Sequence, residues 1–191
     1  MLWFVPLNPT NIKIMEDFEI LKADLADAMI LANLQADVLR STLGKILGLG
    51  HPAVGVIDTV SMESSWRRAL SAKLSVWLAF TGDEPTGMAA VLPGLDQTVG
   101  ELTLEFLARD DNLEVAMSLL DKAMEYGRDN GLRALGIWLL VGDDFRTRFL
   151  SDAGFTPQGL SQKLQTTDGD SVVDNSPHHK QLEAHLWGIL L

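Results

Sequence analysis

The chain has 191 residues, 47% of them apolar, no cysteine, and 26 acidic against 15 basic side chains, for a formal net charge of −11. The missing thiols exclude disulfide scaffolds, cysteine nucleophiles, thiolate zinc sites and iron–sulfur clusters, and the acidic balance speaks against nucleic acid, whose phosphates need a basic face. No apolar run reaches the roughly 18 residues of a membrane-spanning helix, and Met1–Val5 has no basic flank and is cut by Pro6, unlike a signal peptide, so the expectation is one cytoplasmic domain with a single core.

Leu2–Leu7 reads as a short buried strand closed by Pro6 and the Asn8-Pro9 turn signal. Phe18, Leu21, Leu25, Ala28, Met29 and Ala32 then fall three or four apart, the spacing of an amphipathic helix. Val38, Leu39, Leu43, Ile46 and Leu47 continue it as a second helix or an extension of the first, and Gly48–Gly55 breaks it. A short helix is expected over Ser61–Ser71. Leu74–Phe80 and Gly87–Leu92, joined by Thr81–Pro85, make a hairpin. Glu101–Ala108 alternates with period two, placing Leu102, Leu104 and Phe106 on one face and Glu101, Thr103 and Glu105 on the other.

Leu113–Asn130 predicts a strong helix stopped at Asn130-Gly131. Leu135–Val141 is the unbroken apolar run of a buried parallel strand. Asp143 or Asp144 can cap a short helix ending at Gly154, Gln158–Thr166 and Ala184–Leu191 can form a closing strand pair, and Thr167–Lys180 reads as a loop. The tryptophans (Trp3, Trp66, Trp77, Trp138, Trp187) read as core. The order implies an α/β (α+β) fold with a mixed, mostly antiparallel sheet of about seven strands and helices on both faces.

Three stretches carry a family resemblance: Phe80–Gly87 as a second hairpin, Ser118–Gly131 as a central helix, and Phe149–Phe155 (Phe-Leu-Ser-Asp-Ala-Gly-Phe) beside a segment usually written Phe-Tyr-x-x-x-Gly-Phe. From about Val76 to Pro157 the chain resembles the GNAT superfamily of acyl-CoA-dependent N-acyltransferases. The resemblance divides the chain into a variable N-terminal strand and helices (1–73), a GNAT-like core (74–157) and a C-terminal strand pair (158–191). It implies an N-acyltransferase moving an acetyl group from acetyl-CoA, as co-substrate, to an amine by direct attack. The alternative is a GNAT-shaped binding or regulatory domain without that chemistry.

Three departures from the family pattern support the alternative. The pyrophosphate-binding Gln/Arg-x-x-Gly-x-Gly/Ala falls on Asn112, Val115 and Met117, where glycines would let backbone N–H groups close on the anion. Asp110, Asp111 and Glu114 crowd the same helix start, the last two at capping-box spacing, which would serve the helix and repel a pyrophosphate. The family's tyrosine, often the acid for the departing thiolate, falls at Leu150, and the chain's one tyrosine is Tyr126.

Glu105 and Glu101 are the candidate catalytic bases, Glu105 the better placed because it is nearer the strand's C-terminal end. Leu107, Ala108, Arg109, Asn112, Val115, Ala116, Met117 and Ser118, along the turn and helix start, together with Arg146 and Arg148, are the candidate acetyl-CoA contacts. No metal is expected, since His178, His179, Glu183 and His185 lack zinc-ligand spacing, and Gly48–Gly55 is not a phosphate loop. The expected acceptor is a small amine or peptide amine, with a cation favoured by the acidic surface. A homodimer is expected through the apolar Leu186–Leu191, pairing across an exposed edge.

Overall fold

The computed structural model describes residues 18–94, 98–108, 112–164 and 182–191. The expected Leu2–Leu7 strand, the Thr167–Lys180 loop, Arg109, His178 and His179 lie outside them.

The first described element corrects the sequence reading. Phe18–Lys22 is a strand (β1), not the start of a helix, and it pairs antiparallel with Ser75–Thr81 (β2) from Phe18↔Thr81 to Lys22↔Trp77. Five residues are too few to separate the two periods, and Phe18 and Ile20, two apart, are the ones that pack against the core. Asp24 then closes a reciprocal cap, accepting from the Ala26 N–H at 2.7 Å while Asp27 Oδ2 accepts from the Asp24 N–H at 2.8 Å. A 3-10 turn follows, and Ala28–Leu47 runs as one helix (α1) until Gly48, whose φ of 100° ends it. Pro52–Gly55 (α2) and Thr59–Ser71 (α3) complete this half, α3 capped by Asp58.

The expected hairpin is β2 with Glu84–Pro93 (β3), and Val99–Phe106 (β4) adds to it antiparallel. Leu113–Asp129 (α4), Ala134–Leu140 (β5), Asp144–Asp152 (α5), Thr156–Leu164 (β6) and Leu182–Leu190 (β7) follow. The result is one mixed seven-stranded sheet in the order β1-β2-β3-β4-β5-β7-β6, with a single parallel pair, β4 and β5. The C-terminal strand β7 lies between β5 and β6. It is therefore internal, which corrects the expectation that Leu186–Leu191 pairs across an exposed edge; the edge on this side of the sheet is β6, all nine of whose residues are exposed.

Two apolar layers sandwich the sheet. On one face Leu102, Leu104 and Phe106 pack with Leu119, Leu120 and Ala123 of α4 and with Phe149 and Leu150 of α5. On the other, Leu31, Ala32 and Val38 of α1 and Trp66 of α3 cover Val76, Leu78, Met88 and Ala90. The period-two alternation of β4 thus sends its apolar side chains to α4 and leaves Glu101, Thr103 and Glu105 facing α1.

Candidate active site

β4 and β5 pair over Val99–Glu101 and Ala134–Gly136 and then part. Past that point a cleft of about 260 Å³ opens, walled by α1, the two strands, the start of α5 and β6. Glu105 faces it with 23% of its side chain exposed, and burial pushes its carboxyl up to about 7, against the lowering effect of Arg146, with Asp143 raising it further and a hydrogen bond to Gln35 lowering it. Gln35 is itself held, its Oε1 accepting from the Trp66 Nε1–H at 3.0 Å. Glu101, the second candidate base, is exposed at the cleft's other end.

Arg146 is the residue whose place the sequence did not disclose. It is 6% exposed. Its Nη1 donates to Thr42 Oγ1 at 2.9 Å and to Asp143 Oδ2 at 2.6 Å, and its Nη2 donates to the Phe106 main-chain oxygen at 2.6 Å and lies 3.8 Å from Glu105 Oε2. The guanidinium also sits over the Phe106 ring, 5.3 Å from its centroid. Because α5 packs on the α4 face while Thr42 and Glu105 belong to the α1 face, this side chain crosses the sheet through the gap between β4 and β5. Its Nε is buried with no partner among the described residues, a cost of roughly 1–3 kcal/mol that the other bonds must offset. Arg146, expected to contact phosphate, is in this arrangement committed internally; Arg148 is exposed on the helix surface.

The start of α4 also differs from expectation. Asn112 is the N-cap residue, so the position a capping box needs three residues on is Val115 and not Glu114; Asp111 lies outside the described residues. Asn112 makes no cap bond and turns back to donate to the Leu107 oxygen at 3.1 Å. The N–H groups of Leu113–Val115 therefore lack a side-chain cap from it. Val115 and Ala116 are buried, Glu114 is exposed, and Met117 projects outward at 39% exposure. The Met117 and Ser118 N–H groups lie one turn in, where the helix's own ladder takes them. Leu107 and Ala108, half-buried, lead from β4 into this turn. Leu150, at the tyrosine position, is 1% exposed in the core. His185 and Glu183, both with partly exposed side chains, pair at 3.3 Å on β7, and no group of three or more metal-ligating side chains occurs among the described residues.

Solved structures share this architecture. A GNAT-family acetyltransferase from Streptococcus pneumoniae superimposes with a TM-score of 0.62 at 21% identity, over 92% of this chain and 100% of that one. The fold is that of the GNAT acetyltransferases. A ribosomal-protein-alanine N-acetyltransferase from Brucella melitensis gives 0.64 at 17% identity, over 91% and 99% of the two chains. A Salmonella typhimurium protein assigned as an acetyltransferase, solved with its cofactor acetyl-CoA, gives 0.63 at 13%, over 92% and 94%. No protein-family model matches the chain. No curated protein matches it by sequence. No described helix is long and apolar enough to cross a membrane.

Proposed function

We propose that the chain is a GNAT-type N-acyltransferase that transfers an acetyl group from acetyl-CoA to an amine by direct attack. The observation that carries this reading is Glu105: a carboxyl held near neutral pH inside the cleft where β4 and β5 part. A base is most effective when its pKa lies near the working pH, because it is then both ionised and able to hold the proton it takes.

The start of α4 fits an anionic donor. Its first-turn N–H groups, from Leu113 to Val115, are not capped by the Asn112 side chain, and a helix N-terminus attracts phosphate. These groups, with Leu107 and Ala108 leading in, would hold the pyrophosphate of acetyl-CoA. When bound, acetyl-CoA supplies a thioester carbonyl as electrophile and a thiolate as leaving group, one stable enough to depart without Leu150 being a tyrosine. Glu105 takes the proton from the acceptor's ammonium and so frees its lone pair. Arg146 and Gln35 hold Glu105 in place and keep its ionised form accessible near pH 7.

A second reading, a GNAT-shaped binding domain without catalysis, is favoured by one observation: Arg146 crosses the gap between β4 and β5 and bonds the Phe106 oxygen. Calorimetric titration with acetyl-CoA and with free CoA separates the two. Micromolar binding, about −8 kcal/mol, together with acetylation that falls by about 10²-fold or more in Glu105→Gln, supports the enzyme. No heat at millimolar ligand sinks it and leaves the binding domain.

A further inference from the structure

We infer that the acceptor is a compact amine that carries its positive charge beside an apolar body and has no acidic group next to the amine. The inference rests on the acyltransferase reading and narrows it to a substrate class. Three carboxyl side chains line the cleft, Glu101, Glu105 and Asp143, and Arg146 is the one cation among the described lining residues. That cation has nothing left to give a ligand. Three of its terminal N–H groups go to Thr42, Asp143 and Phe106, the fourth faces Glu105, and Nε is sealed from solvent.

An incoming carboxylate would therefore meet the acidic wall with only neutral donors such as Thr103 and Gln162, and no free cation among the described lining residues, to pair with it, and an uncompensated charge in a partly buried site is strongly disfavoured. An ammonium meets the opposite field, reinforced by a chain of net charge −11. Apolar side chains make up much of the remaining wall, with Leu39 from α1, Trp138 and Leu140 from β5 and Leu164 from β6, beside the neutral polar Gln35, Thr42, Thr103 and Gln162. At about 260 Å³ the space lies just below the usual range for drug-sized ligands. A small amine with a short aliphatic or aromatic body satisfies all three features.

The test uses matched pairs that differ by one α-carboxylate next to the only amine: isoamylamine with leucine, and 2-phenylethylamine with phenylalanine. CoA release from acetyl-CoA gives kcat/KM, and calorimetry without acetyl-CoA gives binding independently of turnover. The expected result is that the amines exceed their amino acids by about tenfold or more in both readouts, and that Glu101→Lys narrows the gap mainly through KM. Equal or better use of the amino acids overturns the inference while leaving an acyltransferase. Binding of the amines with that preference but no acetylation supports the cleft's selectivity and sinks the acyltransferase reading. No binding and no acetylation with any pair overturns both.

Discussion

Arg146 donates to the main-chain oxygen of Phe106, 40 residues earlier in the chain, at 2.6 Å, and through Thr42 the same guanidinium ties in α1, 104 residues away. One side chain thus links α5, the end of β4 and α1 across the point where the sheet opens. Removing it leaves Asp143 buried without its partner, an uncompensated charge. Arg146→Met is expected to lose about 3–5 kcal/mol, read as a lowered midpoint in urea denaturation. Arg146→Lys should lie between, because an ammonium cannot match the forked geometry that reaches three acceptors. A methionine variant as stable as the parent would show that the crossing has no structural weight.

Glu105 makes stability and activity depend on pH in opposite senses. Its folded pKa of about 7 lies above its ordinary 4.5 because burial favours the neutral acid. Between those values the folded chain holds a proton that the unfolded chain has lost, so stability falls as pH rises through about 4.5 to 7. Each pH unit of that window is worth at most about 1.4 kcal/mol. In Glu105→Gln this dependence should disappear, and thermal melts from pH 4 to 8 should show the variant gaining on the parent as pH rises. Activity should rise over the same range, with an acid limb near 7 that the variant lacks.

Gln35 offers a separate handle on the same carboxyl. Its hydrogen bond favours the charged form of Glu105, so Gln35→Leu should move the acid limb of the rate profile upward. The fold should tolerate the change apart from the orphaned Trp66 N–H, whose acceptor is lost, at about 1–3 kcal/mol. A limb that stays in place would mean that Gln35 does not set the proton affinity of Glu105.

Restoring the family tyrosine should not restore its chemistry. Leu150 is 1% exposed and packed against Phe149 and Phe155, so Leu150→Tyr places a phenol in a filled core. About 1–3 kcal/mol of stability should be lost, seen as a lower melting temperature, with no gain in kcat. A rise in kcat would show that the cleft reaches this position.

Gly100 marks where the parallel pair is clamped before it opens. It pairs with Leu135 on β5, and a Cβ there would lie 2.8 Å from Leu132, 2.9 Å from Leu135 and 2.9 Å from Val91. Gly100→Ala should therefore cost about 1–3 kcal/mol through overpacking. It should also raise KM more than it lowers kcat, since the cleft walls shift while Glu105 stays on its strand. Steady-state kinetics and denaturation on the same sample check both.

The amino-acid sequence by itself determined what depends on neighbours a few residues apart. The alternation of β4 already put Glu101, Thr103 and Glu105 on one face, and the spacing of α4, its stop at Gly131 and the β2–β3 hairpin were legible for the same reason. Phe18–Lys22 was not, because five residues satisfy both periods and pairing with β2 decides between them. The tertiary structure alone decided that β7 is internal, that Asn112 turns away from the helix it precedes, and that Arg146 is buried beside Glu105. The place of β7 and the burial of Arg146 depend on partners far off in sequence, and the proton affinity of Glu105 most of all. That affinity arises from burial among α1, β4 and α5, and no local pattern records which charges the fold will bring to within a few ångströms of one another.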